Sequence, residues 1–409
     1  MAVALWGKVY NNSFAGELRQ EPGGRCVFTY DSTYIQSKGA PIAYTLAVRA
    51  EPHICEPGLH PFFDNLVAEG WLRNAQARAL RVDTSNRFAL LLAFGHDTAG
   101  AVSIVDPAPV QEPVIDLDSV TAAALSSRAS ISGIQRKLLA VQEGKRFRPA
   151  KREETSTYIA KFSSGTLTDI VENEYLTTIS NKALLPDHDI VDVQVGVLDG
   201  IQEKAVLVKR FDRLSSGKKR HFEEFNQLMG RRSGDDKYEA AYEDIASFLR
   251  GVPGHTAVDL LRLFERILVC FLTGNTDAHL KNFAMFHTAD GLRLTPAYDL
   301  VAAALYPEYQ TLALAVGNAA NLGIANLKPK HFLSLGEAYG LDAKQVLRVV
   351  SALDSRRAAA AKAVLRAAKR IEAETLGQNL VELMEKRWNG SFASTGQYLS
   401  KKQSGDDGN

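Results

Sequence analysis

Polar side chains capable of chemistry follow a nearly continuous apolar run, RILVCFL. In the segment GNTDAHLKNF, residues 274 to 283, Asp277 and Asn282 are five positions apart, and Asp299 in AYDL comes after sixteen intervening residues. Phosphoryl transfer from a nucleotide needs a carboxylate that accepts the proton of the attacking hydroxyl, together with oxygen ligands that hold Mg²⁺ on the phosphates. The two carboxylates and one amide meet this need in type and number.

The order and spacing of these three residues match those of protein kinases. The pattern predicts Asp277 as the general base and Asn282 with Asp299 as magnesium ligands, because Mg²⁺ prefers hard oxygen donors and keeps several waters. Lys281 lies where a cation can stabilise charge on the transferred phosphoryl group, and His279 is expected to orient the loop by hydrogen bonding. Asn, Thr and Asp are also common capping and turn residues after a helix, so a purely structural role stays open.

A kinase also needs a strand lysine that holds the nucleotide phosphates and a carboxylate that positions this lysine. Lys161 ends the apolar strand STYIAKF, and Glu172 and Glu174 open the helix that follows. Glu174 is the predicted partner of Lys161, because Glu172 is placed to form a capping box with Asp169. A solvated lysine at a strand edge is the alternative interpretation.

Two further segments are candidates for contacts with the nucleotide. SISGIQRK, residues 130 to 137, has small residues that let main-chain N–H groups approach phosphate oxygens, although it matches no standard glycine-rich motif and an ordinary turn stays open. VLVKRFDR, residues 206 to 213, ends a predicted strand, where an adenine can bond to the main chain of Lys209 and Phe211. Arg210, Asp212 and Arg213 could equally form an ordinary ion-pair cluster on the surface.

Composition sets limits on the kind of protein. The 409 residues are 45% hydrophobic and 23% charged, which indicates a globular protein. The formal net charge of +1 argues against a polyanion-binding protein that is basic throughout its length. Three scattered cysteines fit a reducing compartment, and neither a signal peptide nor an apolar run long enough for a membrane span is found. We therefore expect a cytoplasmic protein with no membrane partner.

Periodicity divides the chain into regions. Residues 1 to 107 contain short apolar runs such as VALWGKVY, RCVFTY and RFALLLAF, which indicate a strand-rich domain with helices near 61 to 78. Residues 108 to 213 alternate strands with one helix, and the turn Asp290-Gly291 predicts a short hairpin within the helical region 214 to 400. Helical periodicity covers 341 to 388, and the polar tail, 401 to 409, is expected to be disordered.

Taken together, these segments resemble the HipA-type toxin kinases, the serine/threonine kinase partners of bacterial toxin–antitoxin pairs. The resemblance runs from about residue 4 to about 390 and is carried by FFDNLVAEG, AGAVSIV, SISGIQRK, YIAKF, ENEY, VKRFDR, GNTDAHLKNF and LTPAYDL. It implies an α+β, two-lobed protein-kinase-like fold with an N-terminal β-rich subdomain and an all-helical C-terminal lobe. It also implies ATP and Mg²⁺ as cofactors and a serine of a protein as the phosphate acceptor.

Position by position, the resemblance implies the same site as the residue patterns. The catalytic residues are Asp277 and Lys281, the metal ligands are Asn282 and Asp299, and Glu174 positions the lysine. The implied ATP-binding residues are Ser132, Gly133, Ile134, Gln135, Arg136, Lys137, Lys161, Lys209, Arg210, Phe211, His279, Asn282, Tyr298 and Asp299. In this family a serine of the nucleotide loop is itself phosphorylated, which silences the enzyme because the added charge repels ATP; Ser130 is the closest match and Ser132 the second candidate.

The resemblance further implies partners. These are a HipB-like helix-turn-helix antitoxin, a protein substrate of the translation machinery such as an aminoacyl-tRNA synthetase, and operator DNA reached mainly through the antitoxin. Two other functions stay open on the sequence: a nucleotide-gated corepressor scaffold of an antitoxin–DNA complex, and a kinase of small molecules on the same fold.

Overall fold

The computed structural model describes residues 2–6, 13–106, 119–127, 135–151, 154–163 and 165–406. Within this part of the chain, the strands are β1 Ala2–Trp6, β2 Ser13–Gln20, β3 Cys26–Tyr30, β4 His53–Cys55, β5 Val102–Val105, β6 Lys137–Glu143, β7 Arg146–Pro149, β8 Tyr158–Phe162, β9 Val193–Leu198, β10 Ile201–Lys209, β11 Phe222–Glu224, β12 Ala284–Thr288 and β13 Gly291–Leu294. The helices are α1 Ser32–Gln36, α2 Pro61–Leu66, α3 Gly70–Leu80, α4 Arg87–Phe94, α5 Ser119–Ser126, α6 Ile170–Leu184, α7 Phe225–Leu228, α8 Tyr242–Gly251, α9 Ala257–Thr273, α10 Pro329–Ala338, α11 Ala343–Arg370, α12 Glu374–Arg387 and α13 Ala393–Asp406.

The chain forms two compact units, each made of two separate stretches. The first unit contains residues 1–168 and 194–236, and the second contains residues 169–193 and 237–409. Helix α6 therefore belongs to the second unit, although the strands on either side of it along the chain belong to the first. The domain boundaries at 107 and 213 stay a prediction from the sequence.

The first unit is built on two five-stranded sheets. Their strand orders are β4-β3-β2-β1-β5 and β7-β6-β8-β10-β9. Phe28 of the first sheet packs against Phe63 of α2, within one apolar core. In the second sheet, Leu138, Ala160 and Leu207 come from adjacent strands and share another core with Leu72 of α3. Strands β1 to β5 confirm the sheet predicted for residues 1 to 107, and α2 and α3 lie near the helices predicted at 61 to 78. Helices α1 and α4 were not predicted, so this region is less rich in strands than expected.

One apolar run in this unit was predicted wrongly. RFALLLAF, interpreted as a strand, is helix α4. The side chain of Asn86 accepts a hydrogen bond from the N–H of Ala89 at 3.2 Å, which caps the first turn. A short apolar run is compatible with a buried strand and with a buried helix, so the run alone does not distinguish them. The capping residue Asn86 was the local signal that favoured a helix.

The second unit is mainly helical and also contains the predicted hairpin, β12 paired with β13 in antiparallel register. Helix α6 packs mainly against α11. The start of α11 is fixed by a reciprocal cap, in which Asp342 accepts from the N–H of Gln345 and the Gln345 side chain accepts from the N–H of Asp342. The helical stretch predicted over 341 to 388 is interrupted after α11, where Glu372 has a φ of 59°.

Two ends of helices differ from the sequence pattern. Asp169 lies at the N-cap position of α6, yet its side chain makes no capping hydrogen bond, so the predicted capping box with Glu172 is wrong. Helix α13 continues to Asp406, into the tail for which composition predicts disorder. In the described part of the chain, every helix is too short or too polar to cross a membrane.

Candidate active site

The polar segment 274–282 directly follows α9, a helix that is largely buried in the second unit. Its start is capped by Thr256, whose side chain accepts from the N–H of Asp259 at 3.1 Å, and it ends at Gly274 with a φ of 75°. An L side chain is disfavoured at this angle, and an added Cβ would lie 2.6 Å from Leu383. The glycine therefore allows the chain to turn out of a buried helix at this point.

Hydrogen bonds with the main chain of residues 309 and 313 hold the segment after the turn. The Thr276 hydroxyl donates to the carbonyl of Tyr309 at 2.8 Å, and the carbonyl of Thr276 accepts from the N–H of Ala313 at 2.8 Å. His279 begins the 3₁₀ turn Leu280–Asn282, and its Nδ1 accepts from the N–H of Lys281 at 3.3 Å. The segment that carries Asp277 is therefore held by hydrogen bonds at Thr276 and by the 3₁₀ turn that begins at His279.

The two proposed magnesium ligands lie side by side. Nδ2 of Asn282 donates to Oδ2 of Asp299 at 3.0 Å, while Oδ1 of Asn282 accepts from the N–H of His279 at 2.9 Å. Asp299 has a φ of 56°, a left-handed conformation that costs free energy for a residue with a side chain and that concentrates at functional sites. One carboxylate beside one amide is a donor set that Mg²⁺ accepts.

Asp277 has an unusual electrostatic environment. Burial among the surrounding protein atoms, followed by the negative charge of Asp299, raises the pKa of Asp277 to about 6. Lys237 and a hydrogen bond from Tyr238 act in the opposite direction. The residue is nevertheless exposed to solvent. A carboxylate that is enclosed yet reachable, with a pKa near neutrality, suits a general base.

Sequence reasoning missed Lys237 and Tyr238. They belong to a separate 3₁₀ turn, Asp235–Tyr238, while α8 begins only at Tyr242. No spacing links this turn to Asp277, which lies about forty positions along the chain, so only the folded chain reveals the contact. Lys237 is also buried, with an exposed fraction of 5%.

The segment that ends at Asp299 is anchored from several directions. The Tyr298 hydroxyl donates to the carbonyl of Lys281 at 2.7 Å, which ties the two halves of the site together. On α9, the buried Arg266 donates to the carbonyls of Thr295 at 2.8 Å and Asp189 at 3.2 Å. Burial, followed by the charge of Arg262, lowers the pKa of Arg266 to about 10.

Helix α6 contributes to the same unit. Oδ1 of Asn173 accepts from the N–H of Ala302 at 2.8 Å, just beyond Asp299. Glu174, the expected partner of Lys161, is on the same helix and is almost completely buried. Lys161 belongs to the first unit, and its pairing with Glu174 stays a prediction.

In the first unit, Lys161 and Lys137 stand directly opposite each other on the neighbouring strands β8 and β6. Both are buried, with exposed fractions of 7% and 6%. Like charges directly opposite each other destabilise a sheet, and buried charges require compensation. Two lysines on adjacent strands can both donate to one anionic ligand.

The other predicted nucleotide contacts have different surroundings. Gln135 donates through its side chain to the carbonyl of Phe162 at 3.0 Å, and Arg136 forms an ion pair with Glu203 at 2.9 Å. Ser130, Ser132, Gly133 and Ile134 lie outside the described residues. The proposed phosphorylation sites and most of the nucleotide loop therefore remain predictions from the sequence.

At the predicted hinge, the side chain of Arg210 belongs to a buried ion-pair cluster. It contacts Asp212 at 2.8 Å and Asp97 at 3.4 Å, and Arg213 bonds to the same two carboxylates. The predicted ion pairs of Arg210, Asp212 and Arg213 are confirmed, but the predicted surface location is wrong, because all three side chains are buried. Lys209 is exposed at the end of β10, and Phe211 packs on Phe222 with ring centroids 4.9 Å apart.

These features define an α+β protein with a protein-kinase-like fold. The HipA N-terminal domain model matches residues 8–105, and the HipA-like C-terminal domain model matches residues 129–364, more than half of the chain. The chain belongs to the HipA family.

Relatives and solved structures agree. The chain is 27% identical over 355 residues to a putative kinase, Y4mE, of Sinorhizobium fredii, with 79% of this chain and 83% of the relative covered. It is 31% identical over 291 residues to the serine/threonine-protein kinase toxin HipA of Shewanella oneidensis, with 62% and 66% covered. A chain of the solved complex of Shewanella oneidensis HipA, HipB and operator DNA matches with a TM-score of 0.76 and 22% identity over 97% of this chain and 99% of that chain, which shows a shared fold.

Proposed function

We propose that this protein is an ATP-dependent serine/threonine protein kinase and the toxin of a bacterial toxin–antitoxin system. The main support is the grouping of a carboxylate of raised pKa, Asp277, with Asn282 and Asp299, which are hydrogen-bonded to each other. Family membership and the names of the relatives point to the same activity.

In this proposal, each residue has one task. Lys137 and Lys161 bind the nucleotide phosphates, and Asn282 with Asp299 would hold Mg²⁺, which would neutralise charge on the phosphates. Asp277 accepts the proton of the attacking serine hydroxyl. Lys281, which is buried, supplies positive charge beside the transferred group. The main chain of Lys209 to Phe211 is proposed to bind the adenine. Arg210 would contribute only through its main chain, because its side chain forms an ion pair with Asp212.

Transfer of label from γ-labelled ATP tests the proposal. Asp277→Ala and Asp299→Ala should each reduce transfer by a factor of at least ~10³, the scale of losing a residue required in the transition state. Asp187→Ala is a matched control, because the Asp187 side chain is 84% exposed and forms only a 3.7 Å surface ion pair with Arg356. Retention of most autophosphorylation by Asp277→Ala would show that another group is the base.

The proposed acceptor is a serine of a translation protein, with an aminoacyl-tRNA synthetase as the first choice, and the proposed inhibitor is a HipB-like antitoxin. The antitoxin also provides the proposed route to operator DNA. Autophosphorylation of Ser130 or Ser132 is proposed as a second means of inhibition. Mass spectrometry of the protein purified from cells checks both ideas, since it reveals the phosphorylated serine and any small DNA-binding protein that copurifies.

Two other functions make different predictions. A corepressor scaffold would retain operator DNA with the antitoxin but would not slow growth on overexpression. A small-molecule kinase would consume ATP without labelling any protein of a cell extract. The complete set of transfer residues favours the protein kinase over the scaffold.

A further inference from the structure

Tyr238 makes a contact with the proposed general base that the sequence pattern does not reveal. Its hydroxyl donates a hydrogen bond to Oδ1 of Asp277 at 3.2 Å. A carboxylate has two oxygens, and a base needs only one of them for the proton that it accepts. A donor on Oδ1 leaves Oδ2 for an attacking hydroxyl.

The phenol ring is itself held in place. It packs edge-on against the His279 ring, with centroids 5.2 Å apart and an interplanar angle of 78°. The ammonium of Lys237 lies 5.2 Å from the centre of the same ring. His279 is in turn bonded to the N–H of Lys281, and its own N–H bonds to Asn282. The Tyr238 hydroxyl is thus attached to the loop that carries the base.

A rotating carboxylate presents its oxygens in many directions, whereas catalysis requires the reacting atoms to be aligned within a fraction of an ångström. Asp277 is exposed to solvent, so packing alone does not fix its orientation. The hydrogen bond from Tyr238 supplies the missing restraint. The neighbouring Lys237 adds a positive charge that favours the ionised carboxylate.

We propose that Tyr238 is a positioning residue that holds Oδ1 of Asp277 so that Oδ2 faces the hydroxyl of the substrate. This inference rests on the proposed function. It assigns no chemistry to the phenol itself: the proton passes from the substrate hydroxyl to Asp277, while the hydrogen bond from Tyr238 is kept.

The test compares Tyr238→Phe with the intact protein in steady-state transfer from ATP. Phenylalanine keeps the ring contact with His279 and removes only the hydroxyl. We expect kcat to fall about tenfold while KM for ATP changes by less than a factor of about two, since the phenol acts on the transfer step and not on nucleotide binding. Tyr398→Phe is the control, because Tyr398 is an exposed tyrosine of the same unit on α13.

A measurement of thermal unfolding complements the kinetics. The change in Tm caused by Tyr238→Phe should be smaller in an Asp277→Ala background, because the hydrogen bond is already lost there. Equal kcat values for Tyr238→Phe and the intact protein, or a higher value for the variant, would overturn the proposal. Additive changes in Tm would overturn it as well. Absence of any transfer by the intact protein would instead overturn the proposed kinase function.

Discussion

Lys137 and Lys161 face each other across neighbouring strands of one sheet, and both side chains are buried. Two cations in such positions raise the free energy of the folded chain unless negative charge lies nearby. Nucleotide phosphates in the proposed site would place negative charge beside both lysines.

Nucleotide binding should accordingly depend on both lysines. Lys161→Met and Lys137→Met should each weaken ATP binding at least about tenfold, because each removes a charge-assisted contact that is shielded from water. Isothermal titration measures the effect. Lys204→Met, an exposed position on β10, should bind ATP as the intact protein does. Unchanged affinity in both lysine variants would place the phosphates elsewhere.

Magnesium dependence should distinguish Asn282 from Asp299. Removal of the metal by chelation should abolish transfer. Asn282→Ala should still transfer phosphate but should need about tenfold more Mg²⁺ for half-maximal rate, since the variant loses a neutral ligand and keeps the carboxylate. A magnesium titration of the initial rate gives this number. If Asn282→Ala needed no additional metal, the amide would have only the structural role that its bond to the N–H of His279 already shows.

The rate of transfer should fall in acid. Burial and then Asp299 raise the pKa of Asp277 to about 6, and a general base works only when it is ionised. Activity should therefore be present above pH of about 6 and be lost as the pH falls through that value. Lys237 lowers the pKa of Asp277, so Lys237→Gln should move the acid limb of the kcat profile to higher pH. A profile that stays flat down to pH of about 4 would exclude Asp277 as the base.

The ion-pair cluster of the first unit should dominate its stability in acid. Nearby arginines hold the pKa of Asp97 and of Asp212 below the ordinary value, against the effect of burial. A depressed pKa stabilises the folded state above the pKa of the unfolded chain, and this stability is lost as the pH falls through the folded value. Unfolding by urea, followed from pH of about 7 down to about 2, should show a loss that begins near pH of about 4, where the carboxylates of the unfolded chain take up protons.

A substitution tests the same cluster at neutral pH. Asp97→Asn should lower the free energy of unfolding by about 3 to 5 kcal/mol, because it leaves the buried charges of Arg210 and Arg213 with one carboxylate fewer. Asp199→Asn is the matched control, since it breaks only an exposed ion pair with Arg146 and should cost less than about 1 kcal/mol. Equal effects of the two substitutions would contradict the role of the cluster.

Local signals in the sequence predicted the parts of the structure that depend on neighbours along the chain. The end of α9 at Gly274 and the hairpin at Asp290-Gly291 are confirmed. Both could be predicted because glycine is the preferred residue after the end of a helix and Asp-Gly is a preferred pair in a tight hairpin turn. The grouping of Asn282 with Asp299 also follows from short spacing with a hairpin between them.

Contacts between distant residues could not be predicted in this way. Tyr238 reaches Asp277 across 39 positions, and Arg210 reaches Asp97 across 113. Nothing in a lysine, a tyrosine or an arginine indicates which distant carboxylate it will meet. The helix α4 was mistaken for a strand for a related reason, since the periodicity of a short apolar run does not determine its backbone conformation.

The cluster around Asp97 has a consequence for how this protein can be recombined. Asp97 belongs to the stretch matched by the HipA N-terminal domain model, whereas Arg210 and Arg213 belong to the stretch matched by the C-terminal one. A chimaera that takes its first hundred residues from a relative inherits working charge partners only if that relative also carries an acid at this position. The charge balance of each stretch therefore depends on residues in the other, although they are matched by separate domain models.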